Sequence, residues 1–164
     1  MKKKQNRGLT LMAAVCAISV LVMIAALLAP GKTVPAEFTP PPFEPNAVIG
    51  IPNVPDDLGW TELDAQAFLF SVCGKVVVRD AKADIWLTNP QSNSIWLKVR
   101  ILDEDGNILG QSGLLRPGEY VQTVTFDEMP ADGTAIGLKI MAYQPETYYS
   151  EGSATLNTTV KVEE

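Results

Sequence analysis

Histidine is absent from the 164-residue chain. Without imidazole there is no Ser-His-Asp or Cys-His catalysis, and the commonest metal ligand is missing. Cysteine occurs twice, as Cys16 and Cys73, and neither belongs to a C-x-x-C pair. No zinc site or thiol redox motif is therefore encoded. A serine nucleophile would need another base, and no S-x-x-K string supplies lysine. Basic charge is also scarce, with 13 Lys and Arg against 19 Asp and Glu. No long amphipathic helical pattern separates the apolar runs, which argues against parallel βαβ units. These absences point to a chain that is not an enzyme and carries no cofactor or metal.

Hydrophobic residues make up 46% of the chain, but much of that lies in one block, Leu9 to Ala29. These 21 residues contain no charge. As a helix they would extend roughly 30 Å, the thickness of a bilayer's hydrocarbon core. Lys2, Lys3, Lys4 and Arg7 precede the block without an acid among them. Basic flanks stay on the cytoplasmic side. Residues 1–8 are thus read as a cytoplasmic basic N-terminus and 9–29 as a transmembrane helix, with the remainder extracytoplasmic. The block is longer than a secretory signal core, and Pro30 follows it directly. Cleavage near Ala36, after Val34-Pro35, is the alternative and would give a secreted protein. Cys16 sits mid-span after Val15, where a lipoprotein signal needs a small residue. Ala13, Ala14, Ala17, Ser19, Ala25 and Ala26 would permit close helix packing if the span contacts a membrane complex.

Beyond Ala29 the chain has 9 basic and 19 acidic residues, a net charge of −10. Such a field repels nucleic acid and anionic lipid. Residues 30–55 hold eight prolines and read as an extended linker, a stalk of up to about 80 Å at polyproline-II rise. Residues 56–74 are ambiguous. Thr61 could cap a short helix, and Phe68–Val72 could equally be a strand.

From Lys75 to the C-terminus the pattern is β. Strands are expected at Lys75–Arg79, Asp84–Thr88, Ser94–Leu102, Ile108–Gln111, Tyr120–Phe126, Ala135–Tyr143 and Ala154–Val162. In the third, Ile95, Leu97, Val99 and Ile101 alternate with Trp96, Lys98 and Arg100, the period of a half-buried strand. Asn89-Pro90, Asp103–Asn107 and Pro117-Gly118 are turn chemistry. About seven short strands with turns every 8–12 residues fit an antiparallel immunoglobulin-like β-sandwich over 75–164. Cys16 lies within the expected span and Cys73 outside the membrane, so they cannot pair and the core has no disulfide staple. Cys73 reads as a buried small hydrophobe.

The strings Asn89-Pro90-x-x-Asn93, Leu102-Asp103-x-Asp105-Gly106, Ser112-Gly113-Leu114 and Pro117-Gly118 carry a resemblance. Over roughly residues 75–163 the chain is similar to small, N-terminally membrane-anchored proteins of Gram-positive (Firmicutes-type) gut bacteria. Those proteins display one immunoglobulin-like β domain and have no established biochemical function. The resemblance implies architecture and location at the cell envelope, and it transfers no site residues. The segment 56–74 is a departure from the pattern.

Asp103, Asp105 and Asn107 invite a calcium reading. With Gly106 at loop position 6, however, positions 1 and 12 are Ile101 and Ser112, so the EF-hand pattern fails. The candidate binding residues are instead Trp86, Trp96, Lys98 and Arg100. Alternation turns all four away from the core, and exposed aromatics anchor protein partners or stack on sugars. The expected role is a binding or scaffolding module that contacts an envelope protein or another copy of itself. Glycan recognition through the aromatics, or an accessory role in a membrane complex, is the alternative.

Overall fold

The computed structural model describes Met12, Ser19 and residues 38–163. Met12 and Ser19 are helical. The other residues of the 9–29 segment, and all of 1–8, lie outside the described residues. Among the described residues no helix is long and apolar enough to cross a membrane. The chain divides into two compact units, Met1–Thr39 and Pro40–Glu164.

The second unit is mainly β. Its strands are β1 (Val48–Ile49), β2 (Trp60–Asp64), β3 (Leu69–Cys73), β4 (Val76–Arg79) and β5 (Lys82–Thr88), then β6 (Trp96–Leu102), β7 (Ile108–Gln111), β8 (Glu119–Thr125), β9 (Ala135–Tyr143) and β10 (Ser150–Val162). A single 3-10 turn, Asp56–Leu58, precedes β2. The hydrogen-bonded order is β1-β8-β5-β4-β10-β9-β6-β7, with the β2–β3 hairpin joined to β5 through Ser71 and Thr88. β10 links the two halves of the sheet. Ser150–Thr159 pairs antiparallel with β9, and Val160–Val162 pairs parallel with β4.

The sheet curls until its ends approach. Gly110 of β7 bridges Phe126, just beyond β8. A Cβ on Gly110 would lie 2.5 Å from the Thr125 carbonyl oxygen, so this closure requires glycine. The enclosed core draws on both halves. Phe70, Ile85, Leu87, Leu97, Ile101, Leu138 and Ile140 are among its fully buried side chains. Each contributes about 1.5–3 kcal/mol by leaving water. The alternation read along β6 is realised, with Leu97, Val99 and Ile101 all at 0% exposure.

Three elements complete or correct the sequence reading. Of the two readings open for residues 56–74 the strand holds: Thr61 lies in β2 and caps no helix, and Phe70 to Cys73 of β3 are all buried. The hairpin turns at Gln66 (φ 69°), whose N–H donates to Asp64 Oδ1 at 2.7 Å. Second, the stalk expected through residue 55 does not run free past Pro42. The Leu114 N–H donates to the Pro42 carbonyl and the Glu44 N–H to the Leu114 carbonyl, both at 2.9 Å. β1 then pairs with β8. The prolines keep this segment extended, which lets its remaining donors and acceptors form strand-like bonds. Third, β1, β2 and β3 raise the expected seven strands to ten.

The Asn89-Pro90-x-x-Asn93 string is a structural knot. Asn89 is fully buried, and its Nδ2 donates to the carbonyls of Ile95 (2.9 Å) and Leu115 (3.0 Å). Asn93 Nδ2 donates to Asn89 Oδ1 (2.7 Å) and to the Leu69 carbonyl (2.6 Å). One pair of amides thus ties the 89–95 turn to β3 and to the segment before β8.

Candidate binding face

The structure separates the four candidate residues. Trp86 lies at an irregularity of β5, where the register shifts between Asp84 and Leu87. Its backbone takes φ 50°, so Ile85 and Leu87 on either side both reach the core at 0% exposure. The Trp86 indole leaves on the other side and packs with Leu58, Cys73 and Val77, under Val54 and Trp60. Trp60 Nε1 donates to the Trp86 carbonyl at 3.0 Å, and the Trp86 ring stacks on Tyr120 (6.0 Å, 23°). Residues 54–60 therefore cover Trp86, and it does not join the other three candidates.

Trp96, Lys98 and Arg100 share the outer face of β6. Trp96 is half-buried and meets two rings edge-on, Phe43 at 4.8 Å and Tyr148 at 5.2 Å. The Arg116 guanidinium lies 3.6 Å from the centroid of the Phe43 ring. Lys98 is not a surface residue: it is only 6% exposed and lines a cleft beneath the Pro42–Asn46 segment. Burial, and then the charge of Arg100, lower its pKa below the ordinary lysine value. Arg100 is half-buried, and its Nε has no hydrogen-bond partner among the described residues.

Register adds a residue that sequence reading missed. Arg100 stands directly opposite Lys139 of β9, and Lys98 opposite Met141. Like charges directly opposed on one face of a sheet repel. Eight cations lie among the described residues. Lys75, Arg79, Arg116 and Lys161 are ion-paired. Three of the other four, Lys98, Arg100 and Lys139, gather on this one face. Beyond them, β10 presents the exposed small polar residues Ser153, Thr155 and Asn157. The result is a cationic strip within an acidic domain, ending in the Phe43–Trp96–Tyr148 ring cluster.

The alternation of β9 (AIGLKIMAY) made an outward Lys139 legible, but only strand pairing puts it beside Arg100. Phe43 carried no local signal, because its contact with Trp96 crosses more than fifty residues of chain.

Two other features bear on chemistry. The Cys73 thiol is 1% exposed, and its pKa is pushed up to about 12 by burial and then by the charges of Asp84 and Asp57. It stays a neutral thiol at physiological pH, which is not the form that attacks. At the acidic β6–β7 hairpin tip, Asp103 accepts from the Asn107 N–H (2.7 Å) and Nδ2 (2.8 Å). These bonds hold its carboxyl below the usual pKa and close the turn. Among the described residues no group of three or more His, Cys, Asp or Glu is placed to hold a metal ion.

No protein-family model matches the chain, and no curated protein matches it significantly.

Proposed function

We propose that this chain is a single-pass membrane protein of the cell envelope whose extracytoplasmic domain, an immunoglobulin-like sandwich, is a binding module for an acidic protein surface. The contact surface is the outer face of β6 and β9. The observation that carries this reading is the opposition of Arg100 and Lys139, two cations with no ion-pair partner among the described residues, in a chain whose exported part has acids outnumbering bases two to one. An acidic partner would relieve that repulsion and give the contact its register. The aromatic cluster at the end of the strip supplies an apolar anchor of the kind that dominates protein interfaces.

Anchoring and orientation rest on the uncharged Leu9–Ala29 block and the basic residues before it. Binding is favoured over catalysis by the absence of histidine and by the buried, neutral state of Cys73. A protein partner is favoured over a glycan because Trp96 is half-buried and already engaged by Phe43 and Tyr148. A ring so occupied is a poor platform for stacking a sugar.

The test is photo-crosslinking on intact cells with the full-length protein. One probe replaces Tyr149, which is 72% exposed beside the ring cluster; the other replaces Met129, 48% exposed in the β8–β9 loop. A discrete protein adduct from position 149 and none from 129 is the expected result. Adducts of equal yield from both positions, or none from either, would overturn the assignment of the face.

A further inference from the structure

A cleft of about 330 Å³ lies between the Pro42–Asn46 segment, residues Gln111–Gly113 and residues Thr123–Thr125, and Lys98 forms part of its wall. Lys98 is the most buried cation among the described residues, at 6% exposure. Its ammonium has no hydrogen bond or ion pair among those residues, although the domain holds a large excess of carboxylates. Glu44 also lines the cleft, but its carboxylate is already engaged. Oε2 accepts from the Gly113 N–H at 2.6 Å, and Oε1 accepts from the Asn46 N–H at 3.1 Å and Nδ2 at 3.2 Å. The Ser112 hydroxyl is likewise occupied, accepting from the Val99 N–H and donating to the Gly113 carbonyl. Two residues along the strand, the Arg100 Nε is buried and has no partner among the described residues.

The Lys98 side chain is buried while its ammonium reaches the cleft, where no group among the described residues pairs with it, so an oxyanion entering the cleft gains a charge-assisted hydrogen bond there. The cleft is large enough for a small polar ligand, its other wall residues are mostly neutral and polar, and its one carboxylate is bonded to backbone and amide donors. From this geometry we infer that the cleft is a binding site for a small oxyanion, a phosphate or carboxylate group, held by Lys98. The site stands whether or not the outer face binds a protein.

The experiment uses the full-length protein in a neutral detergent, labelled with ¹³C at lysine Cε. Inorganic phosphate and acetate are titrated separately against chloride at constant ionic strength. The Lys98 resonance is expected to shift saturably with at least one of them, and the thermal midpoint to rise in parallel, while Lys75 and Lys82 stay still. Which anion saturates the site first tells a phosphate ligand from a carboxylate. Lys98→Met keeps the aliphatic volume and removes the charge. It is expected to be at least as stable as the parent without oxyanion, and to bind more than about tenfold more weakly. A linear shift shared by all lysines would overturn the inference in the unmodified protein, whatever the variant does. Saturable binding that survives Lys98→Met would overturn it equally.

Discussion

Phe43 meets Trp96 edge-on, ring centroids 4.8 Å apart and planes at 77°, and so joins the proline-rich segment to the outer face of β6. The backbone repeats the link one layer down, where Phe43 bridges Leu114 in parallel and Leu114 adjoins the Leu115 that bridges Leu97. The segment from Pro42 is thus part of the domain, and it shapes both the ring cluster and the cleft around Lys98.

Phe43→Ala removes the ring contact with Trp96 and the cation–π contact with Arg116. The domain should lose about 2 kcal/mol, and tryptophan quenching by acrylamide should increase. Urea unfolding measures the first, and an acrylamide titration of the folded protein measures the second. An unchanged quenching constant would mean that Phe43 does not shield Trp96.

Gly113→Ala acts on the same contact from the other side. A Cβ at Gly113 would sit 2.6 Å from Glu44 Cα and from the Phe43 carbonyl carbon. Both are backbone atoms, so the 42–46 segment must move. The expected cost is about 1–3 kcal/mol, with faster amide exchange at Glu44 and Leu114. Parental exchange rates there would show that the segment packs more loosely than described.

The buried amide pair is a stability device, and Asn89→Ala should expose that role. It leaves the Ile95 and Leu115 carbonyls and the Asn93 Nδ2 short of partners in the interior. The expected loss is about 3 kcal/mol or more by denaturant unfolding. Asn89→Asp should be at least as damaging, because a carboxylate then faces two carbonyl oxygens. A loss below about 1 kcal/mol for either would mean that water replaces the amide.

Much of the fold was legible because β6 and β9 alternate, because β8 is rich in β-branched residues, and because the turn strings sit between them. The β2–β3 hairpin was not, since Thr61 and Asp64 mimic a capping box while Phe68, Phe70 and Val72 follow strand period. Local pattern could not choose between the two; burial of β3 against the core did. β1 is two residues long and has no periodicity to read. For the candidate site, alternation along β6 put Trp96, Lys98 and Arg100 on one face. It could not say that Pro42–Asn46 would roof Lys98, or that Leu58 and Trp60 would cover Trp86. Both covers come from segments distant in sequence.

Cys73 gives a prediction in pH. With its folded pKa raised to about 12 from an ordinary 9.0, the native thiol stays protonated while the unfolded thiol ionises. Its contribution to stability is therefore complete below pH 9 and is lost as pH rises towards 12. Between those limits the stability of Cys73→Ala should fall less steeply with pH than that of the parent. At pH 8 the native thiol should resist a disulfide reagent until the protein is unfolded; prompt labelling of the folded protein would contradict this burial.

The proposed contact face is tested most directly by neutralising its two opposed cations together. Arg100→Gln with Lys139→Gln should leave the thermal midpoint unchanged or slightly higher, since the two charges repel each other. In intact cells it should cut the adduct from the Tyr149 probe by more than about tenfold, the loss expected when close charge pairs across an interface are removed. A folded double variant that crosslinks at the parental yield would contradict the account, because the Arg100–Lys139 pair would then play no part in binding.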